Sequence, residues 1–123
     1  ASMYKPSHLI GLELGISVAS AALRKEATGA ATGFRGDCVA TAKRDLKAGE
    51  MLDGEGGYTV YGKLMPASDS LKAGGLPIGL AHKVKLVKDV AAGRPVAWAD
   101  VAIDETAEAV KIRREMEREG ADA

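Results

Sequence analysis

Six polar side chains are candidates for a small-molecule site, five of them able to hold an anion: Lys5 and His8 near the N-terminus, with Glu13 beside them, and His82, Lys83 and Lys85 two thirds of the way along. With a helix beginning near Ser7, the first three occupy its opening turns, where unsatisfied N–H groups and the helix dipole favour a phosphate or carboxylate. The plainer alternative has His8 capping the helix start and Glu13 pairing locally. His82 leads into a basic strand, whose alternation puts Lys83 and Lys85 on one face and Val84 and Leu86 on the other. Such a face could rim a substrate cleft, or it could simply be solvated. No motif assigns a catalytic role to any of these residues.

Other chemistries find no motif. Gly54-Glu55-Gly56-Gly57 is not the G-x-G-x-x-G turn of dinucleotide sites, and it neither follows a long apolar strand nor opens a helix. No P-loop, metal-ligand cluster or G-x-S-x-G elbow is present. The chain alone is therefore expected to bind neither NAD(P) nor a metal and to be catalytically silent. Cys38 is the single cysteine. It reads as a small buried hydrophobe on a strand, and its solitude, which forbids an intrachain disulfide, fits a reducing compartment.

The elements that would position these residues are organised by a repeat. Arg44-Asp45-Leu46-Lys47-Ala48-Gly49-Glu50-Met51-Leu52 returns 44 residues later as Lys88-Asp89-Val90-Ala91-Ala92-Gly93-Arg94-Pro95-Val96. Each copy reads as a strand end, a tight turn with Gly at positive φ, and a new strand start, with Asp45 and Asp89 bonding nearby backbone amides. An internally duplicated β-domain follows, spanning residues 38–103, with short irregular strands at Cys38–Lys43, Tyr58–Leu64, Lys83–Val87 and Val101–Ile103. Met65–Gly75 reads as an extended surface loop, and Trp98 as a plug in the core. Residues 1–37 form a helix, His8–Lys25, and a linker. Two apolar rows on the helix predict burial on most sides, against another domain or a twin. Gly11 and Gly15, with Ser7 and Ala19, line a small-residue stripe that suits close packing. Residues 104–123 form a charged helix, Glu105–Glu119, capped by Asp104, closed by Gly120 and largely solvated.

The repeated corners, Ala42–Leu52 and Val87–Val101, resemble the paired hallmark segments of the SAF domain, whose fold is the β-clip of antifreeze-like proteins. That resemblance implies a mostly β module. The segment Tyr4–Glu13 with the apolar stretch to Leu23, and the runs Gly56–Gly62 and Gly75–Leu80, are similar to the C-terminal part of NAD(P)-dependent, homoserine-dehydrogenase-like oxidoreductases. The 1-deoxy-D-xylulose-5-phosphate reductoisomerase-like enzymes are among them. What this implies is a non-catalytic C-terminal piece of a longer enzyme, with NAD(P) held elsewhere in the parent. The module would then shape the substrate site or join subunits, its partners being the rest of that enzyme or its own twin. Sialic acid synthases, which also carry the domain, place a basic side chain from it in a partner's active site, which implies such a role for His82, Lys83 and Lys85. The alternative is a free-standing carbohydrate-binding or assembly module of the antifreeze or flagellar and pilus type.

Composition narrows the partners. Seventeen basic and seventeen acidic side chains leave a formal charge of zero, so no global field draws in nucleic acid or an anionic membrane. Five aromatics are too few for a stacking platform along single-stranded nucleic acid. Leu9–Leu23 is shorter than the roughly 20 apolar residues that span a bilayer, and Glu13 interrupts the apolar core that a secretion signal needs. A cytoplasmic setting is the expectation.

Overall fold

The computed structural model describes residues 2, 4–7, 9 and 11–121. Two compact units divide the chain, Ala1–Thr32 and Gly33–Ala123, so the second begins four residues before the expected end of the linker at Asp37. In the first unit, helix α1 (Leu14–Ala19) runs directly into a π-helical turn, Ser20–Arg24, stopped by Lys25 in the left-handed region at φ 61°. The helix is shorter than the expected His8–Lys25. Gly11, at φ 96°, belongs to a turn ahead of it, closed by the Leu12 amide donating to the Leu9 carbonyl. The small-residue stripe therefore does not continue along one helix. Burial also fails within this unit, where Ile16 is 71% and Leu23 82% exposed and α1 carries no buried residue. One short helix has no second layer to pack against, and an apolar face needs one.

The second unit carries two small antiparallel sheets. Strand β1 (Gly36–Ala42) pairs with β3 (Val60–Pro66), setting Cys38 opposite Leu64 and Ala42 opposite Val60. Strand β2 (Met51–Asp53) pairs with β4 (His82–Leu86), which pairs in turn with β5 (Val101–Ala102). Four strands fall within two residues of their expected bounds; β2, only three residues long, had no legible alternation. The expected loop over Met65–Gly75 instead contains helix α2 (Ala67–Ala73), entered from Pro66 and ended by Gly74 at φ 60°. Ala67 and Ser70 are buried on it. The architecture is thus mixed, helices with two small sheets, where mostly β was expected.

The repeat folds as two interlocked halves related by a pseudo-twofold axis. Leu46 and Val90, equivalent positions, face each other in an antiparallel bridge with N···O distances of 2.8 and 3.0 Å. Thr41 of one half lies opposite Pro95 of the other, and Lys85 lies opposite Met51. Gly49 donates to the Leu86 carbonyl and Gly93 to that of Ala42, both at 2.8 Å. Most telling are the two aspartates. Asp45 accepts from the Ala92 amide and Asp89 from the Ala48 amide, each at 2.8 Å. The nearby amides expected as partners are replaced by those of the opposite corner, so each half caps the other.

Around the axis the core includes Leu46, Leu52, Val60, Leu76, Leu86 and Val96, all almost fully buried. Trp98 joins it, as its isolation among aliphatics suggests. Cys38 does not: it is exposed. Alternation turns its neighbours Asp37 and Val39 inward, leaving the thiol on the outer face, where a Cβ added to Gly62 would stand 2.6 Å from Sγ.

The C-terminal helix α3 (Glu108–Ala121) starts three residues later than expected. Asp104 instead accepts from the Thr106 amide and hydroxyl, at 2.8 and 2.6 Å, in a turn ahead of the helix. Nor is α3 a solvated tail. Arg113 reaches back 76 residues to Asp37 in a bidentate pair of 2.9 and 2.6 Å, with side chains 10% and 5% exposed. Ser70 donates to the same carboxylate. Glu117 gathers Arg113, Arg114 and the Trp98 indole N–H. The Arg114 guanidinium stacks 3.8 Å above the Trp98 ring and Arg113 lies 4.9 Å above Phe34. Gly120 lies inside the helix and does not close it, and a Cβ there would press on Phe34.

Candidate functional site

One open groove in the second unit collects two of the sequence candidates. His82 and Lys83 form part of its wall, with Val84, Ile103, Asp104 and Val110 among the other lining residues. Its shape comes from an irregularity: Leu52 pairs with Val84 but Asp53 pairs with His82, so Lys83 is an extra, bulged residue. Lys83 adopts φ 57°, a left-handed conformation costing a non-glycine residue about 1–2 kcal/mol. Replacing Lys83 by Gly is expected to raise the unfolding free energy by about 0.5–1 kcal/mol, part of the relieved strain being offset by glycine's backbone entropy. Chemical denaturation checks this, and a loss of stability would show that the Lys83 side chain contributes packing. Strained backbone of this kind clusters where a side chain serves a ligand.

His82 is fixed by the loop between β2 and β3. Its Nδ1 lies 3.1 Å from the Asp53 carbonyl. A carbonyl only accepts, so Nδ1 carries the proton and Nε2 is left as the acceptor of the ring. The ring lies close over Gly54, at φ 75°, where a Cβ would come within 2.9 Å of Nδ1. The Asp53 carboxylate in turn holds the loop, accepting from the Tyr58 amide at 2.6 Å, the Thr59 amide at 3.0 Å and the Thr59 hydroxyl. The Thr59 hydroxyl first, and the Tyr58 amide next, lower its pKa to about 2. Lys43 donates to the Gly57 carbonyl across the same turn. The glycine-rich run that is no dinucleotide turn is therefore a tight loop seating His82.

Lys85, the third basic candidate on this strand, is exposed opposite Met51 and Ala102 and is not part of the groove wall. Lys83 and Lys85 are both exposed while Val84 and Leu86 are buried, the expected alternation; the bulge adds His82 to the exposed residues. Asp104, which no motif singled out, lies in the groove with its carboxyl held below the usual range, mainly by the Thr106 hydroxyl. In the first unit, Lys5 and Glu13 form an ion pair, the local pairing of the plainer alternative. His8 lies outside the described residues.

The groove wall offers the Lys83 ammonium and the His82 imidazole, with the Asp104 carboxylate and apolar side chains such as Val84, Ile103 and Val110 in the same lining. That set can bind and orient an oxyanion. Among the described residues no three His, Cys, Asp or Glu side chains group as metal ligands, and no helix is long and apolar enough to cross a membrane. No family model matches the chain, and no curated protein matches it significantly.

Proposed function

We propose that this chain is a non-catalytic SAF module of the β-clip kind that lends its His82–Lys83 groove to the substrate cleft of a companion catalytic domain. The resemblance of its flanking segment makes that companion a cytoplasmic NAD(P)-dependent oxidoreductase domain, acting on a small phosphorylated or carboxylated carbonyl compound. The observation that carries the reading is Lys83 held in a strained bulge beside His82, whose ring is fixed through Nδ1 and which lines the same groove. The interlocked duplication supports the module assignment, because a β-domain whose corners cap one another needs no other domain to close it.

On this reading the isolated chain takes no nicotinamide cofactor. Calorimetric titration with NADPH is expected to show no saturable binding, and a Kd in the micromolar range, roughly −8 kcal/mol, would overturn it. In the complete enzyme, Lys83→Ala is expected to raise KM for the anionic substrate about tenfold with kcat little changed, the signature of lost uniform binding. An unchanged KM would remove the groove from the substrate site.

A further inference from the structure

The two corners share a backbone but not their charges. In the first, the Glu50 carboxylate receives Arg44, with Nη2 at 2.7 Å and Nη1 at 3.3 Å, and the Lys47 amide at 2.7 Å. The pseudo-twofold relation sends Arg44 to Lys88, Lys47 to Ala91 and Glu50 to Arg94. The turns match closely: Glu50 N to Lys47 O is 3.0 Å, Arg94 N to Ala91 O is 3.1 Å, and the glycines have φ of 94° and 76°. The second corner therefore keeps the donors around the carboxylate position and supplies a cation where the first supplies the carboxylate. Lys88, Ala91 and Arg94 are all exposed. Among the described residues, neither Lys88 nor Arg94 makes an ion pair or side-chain hydrogen bond, and the Ala91 amide donates to no protein acceptor.

We propose that this corner binds a small carboxylate, held by the Ala91 N–H and by Lys88 and Arg94, in the place that Glu50 fills in the first corner. Asp45 would stand beside it, as Asp89 stands beside Glu50. The first corner shows that such a neighbour is tolerated: the Glu50 carboxyl remains below its ordinary value, held there first by Arg44 and then by the Lys47 amide, against the charge of Asp89. Two cations against one Asp leave net attraction at the second corner. The first corner has Lys47 bonded to Asp89 at 2.8 Å, which offsets that charge; the second has Ala91 at that position, so Lys88 and Arg94 alone must offset Asp45. None of these residues lines the groove, so the site stands independently of the groove's role.

The test follows backbone amide shifts of the chain during titration with sodium acetate, and separately with inorganic phosphate, at constant ionic strength balanced with chloride. Acetate is expected to move the Ala91 amide saturably, with half-saturation on the order of 10 mM as befits an exposed, salt-screened pair. Arg94→Glu, which copies the first corner and is expected to fold, should abolish the shift because its own carboxylate fills the place. Saturation by phosphate but not acetate, no saturation by either, or an undiminished acetate shift in Arg94→Glu would each overturn the proposal.

Discussion

Replacing Arg113 by alanine is expected to destabilise the second unit by about 3–5 kcal/mol, a large share of the 5–15 kcal/mol that typically holds a domain. The reason is not the lost attraction alone. Asp37 is buried and keeps its charge because Arg113 meets both carboxylate oxygens; without the guanidinium, an uncompensated carboxylate remains inside. The same change frees Glu117 from Arg113 and removes the cation above Phe34, loosening α3. Urea denaturation of the two proteins measures the effect. Replacing the pair together, Asp37→Leu with Arg113→Met, is expected to recover much of the loss, since an apolar pair of similar volume carries no desolvation cost. Equal loss in the single and double variants would mean that the pair's charge is not what matters.

The same pair has a pH signature. Burial pushes the Asp37 carboxyl up, but the hydrogen bonds from Arg113 and Ser70 and the charge of Arg113 together bring it below its ordinary value. A carboxyl depressed in the folded state stabilises it fully above the unfolded value, near 3.9, and this contribution is lost as pH falls through the folded value. In Arg113→Ala, burial acts with its main opponent gone and the folded value rises. That variant's deficit is therefore largest at neutral pH and shrinks in acid. A deficit independent of pH between about 3 and 7 would contradict this account of Asp37.

Leu46→Ala is the second large effect, expected at about 2–5 kcal/mol, since Leu46 is only 1% exposed and sits on the pseudo-twofold axis against Val90. Because each corner is closed by the other's aspartate, the loss should be felt by both halves at once. Denaturation is expected to remain a single transition with a lower midpoint and unchanged slope. Hydrogen exchange in Ala40–Ala42 and Val84–Leu86 should accelerate together. Two transitions, or exchange accelerated in one half only, would show that the halves are independent.

The repeat was legible because its turn chemistry is local: basic residue, Asp, aliphatic, then Ala-Gly. The exchange of partners was not, since Asp45 capping its own turn and Asp45 capping Ala92 leave the same sequence pattern. Strands β1, β3 and β4 showed their aliphatic runs, but the bulge at Lys83 depends on the register of pairing with β2, of which the repeat marked only the start. The docking of α3 was hidden differently. Arg113 and Glu117, four residues apart in a run of alternating charge, look like a solvated pair on a helix surface, and their partner Asp37 lies 76 residues away. The apolar rows of the N-terminal helix were visible too, yet a row records what a helix could bury, not whether its unit supplies a partner.

The most direct test of the proposed role is the coding sequence upstream of residue 1. The account predicts an open frame of about 150 residues or more that contains G-x-G-x-x-G after an apolar strand, joining this module to a nicotinamide-binding domain. A stop codon with a ribosome-binding site immediately ahead of the chain would contradict it and leave the module to act alone.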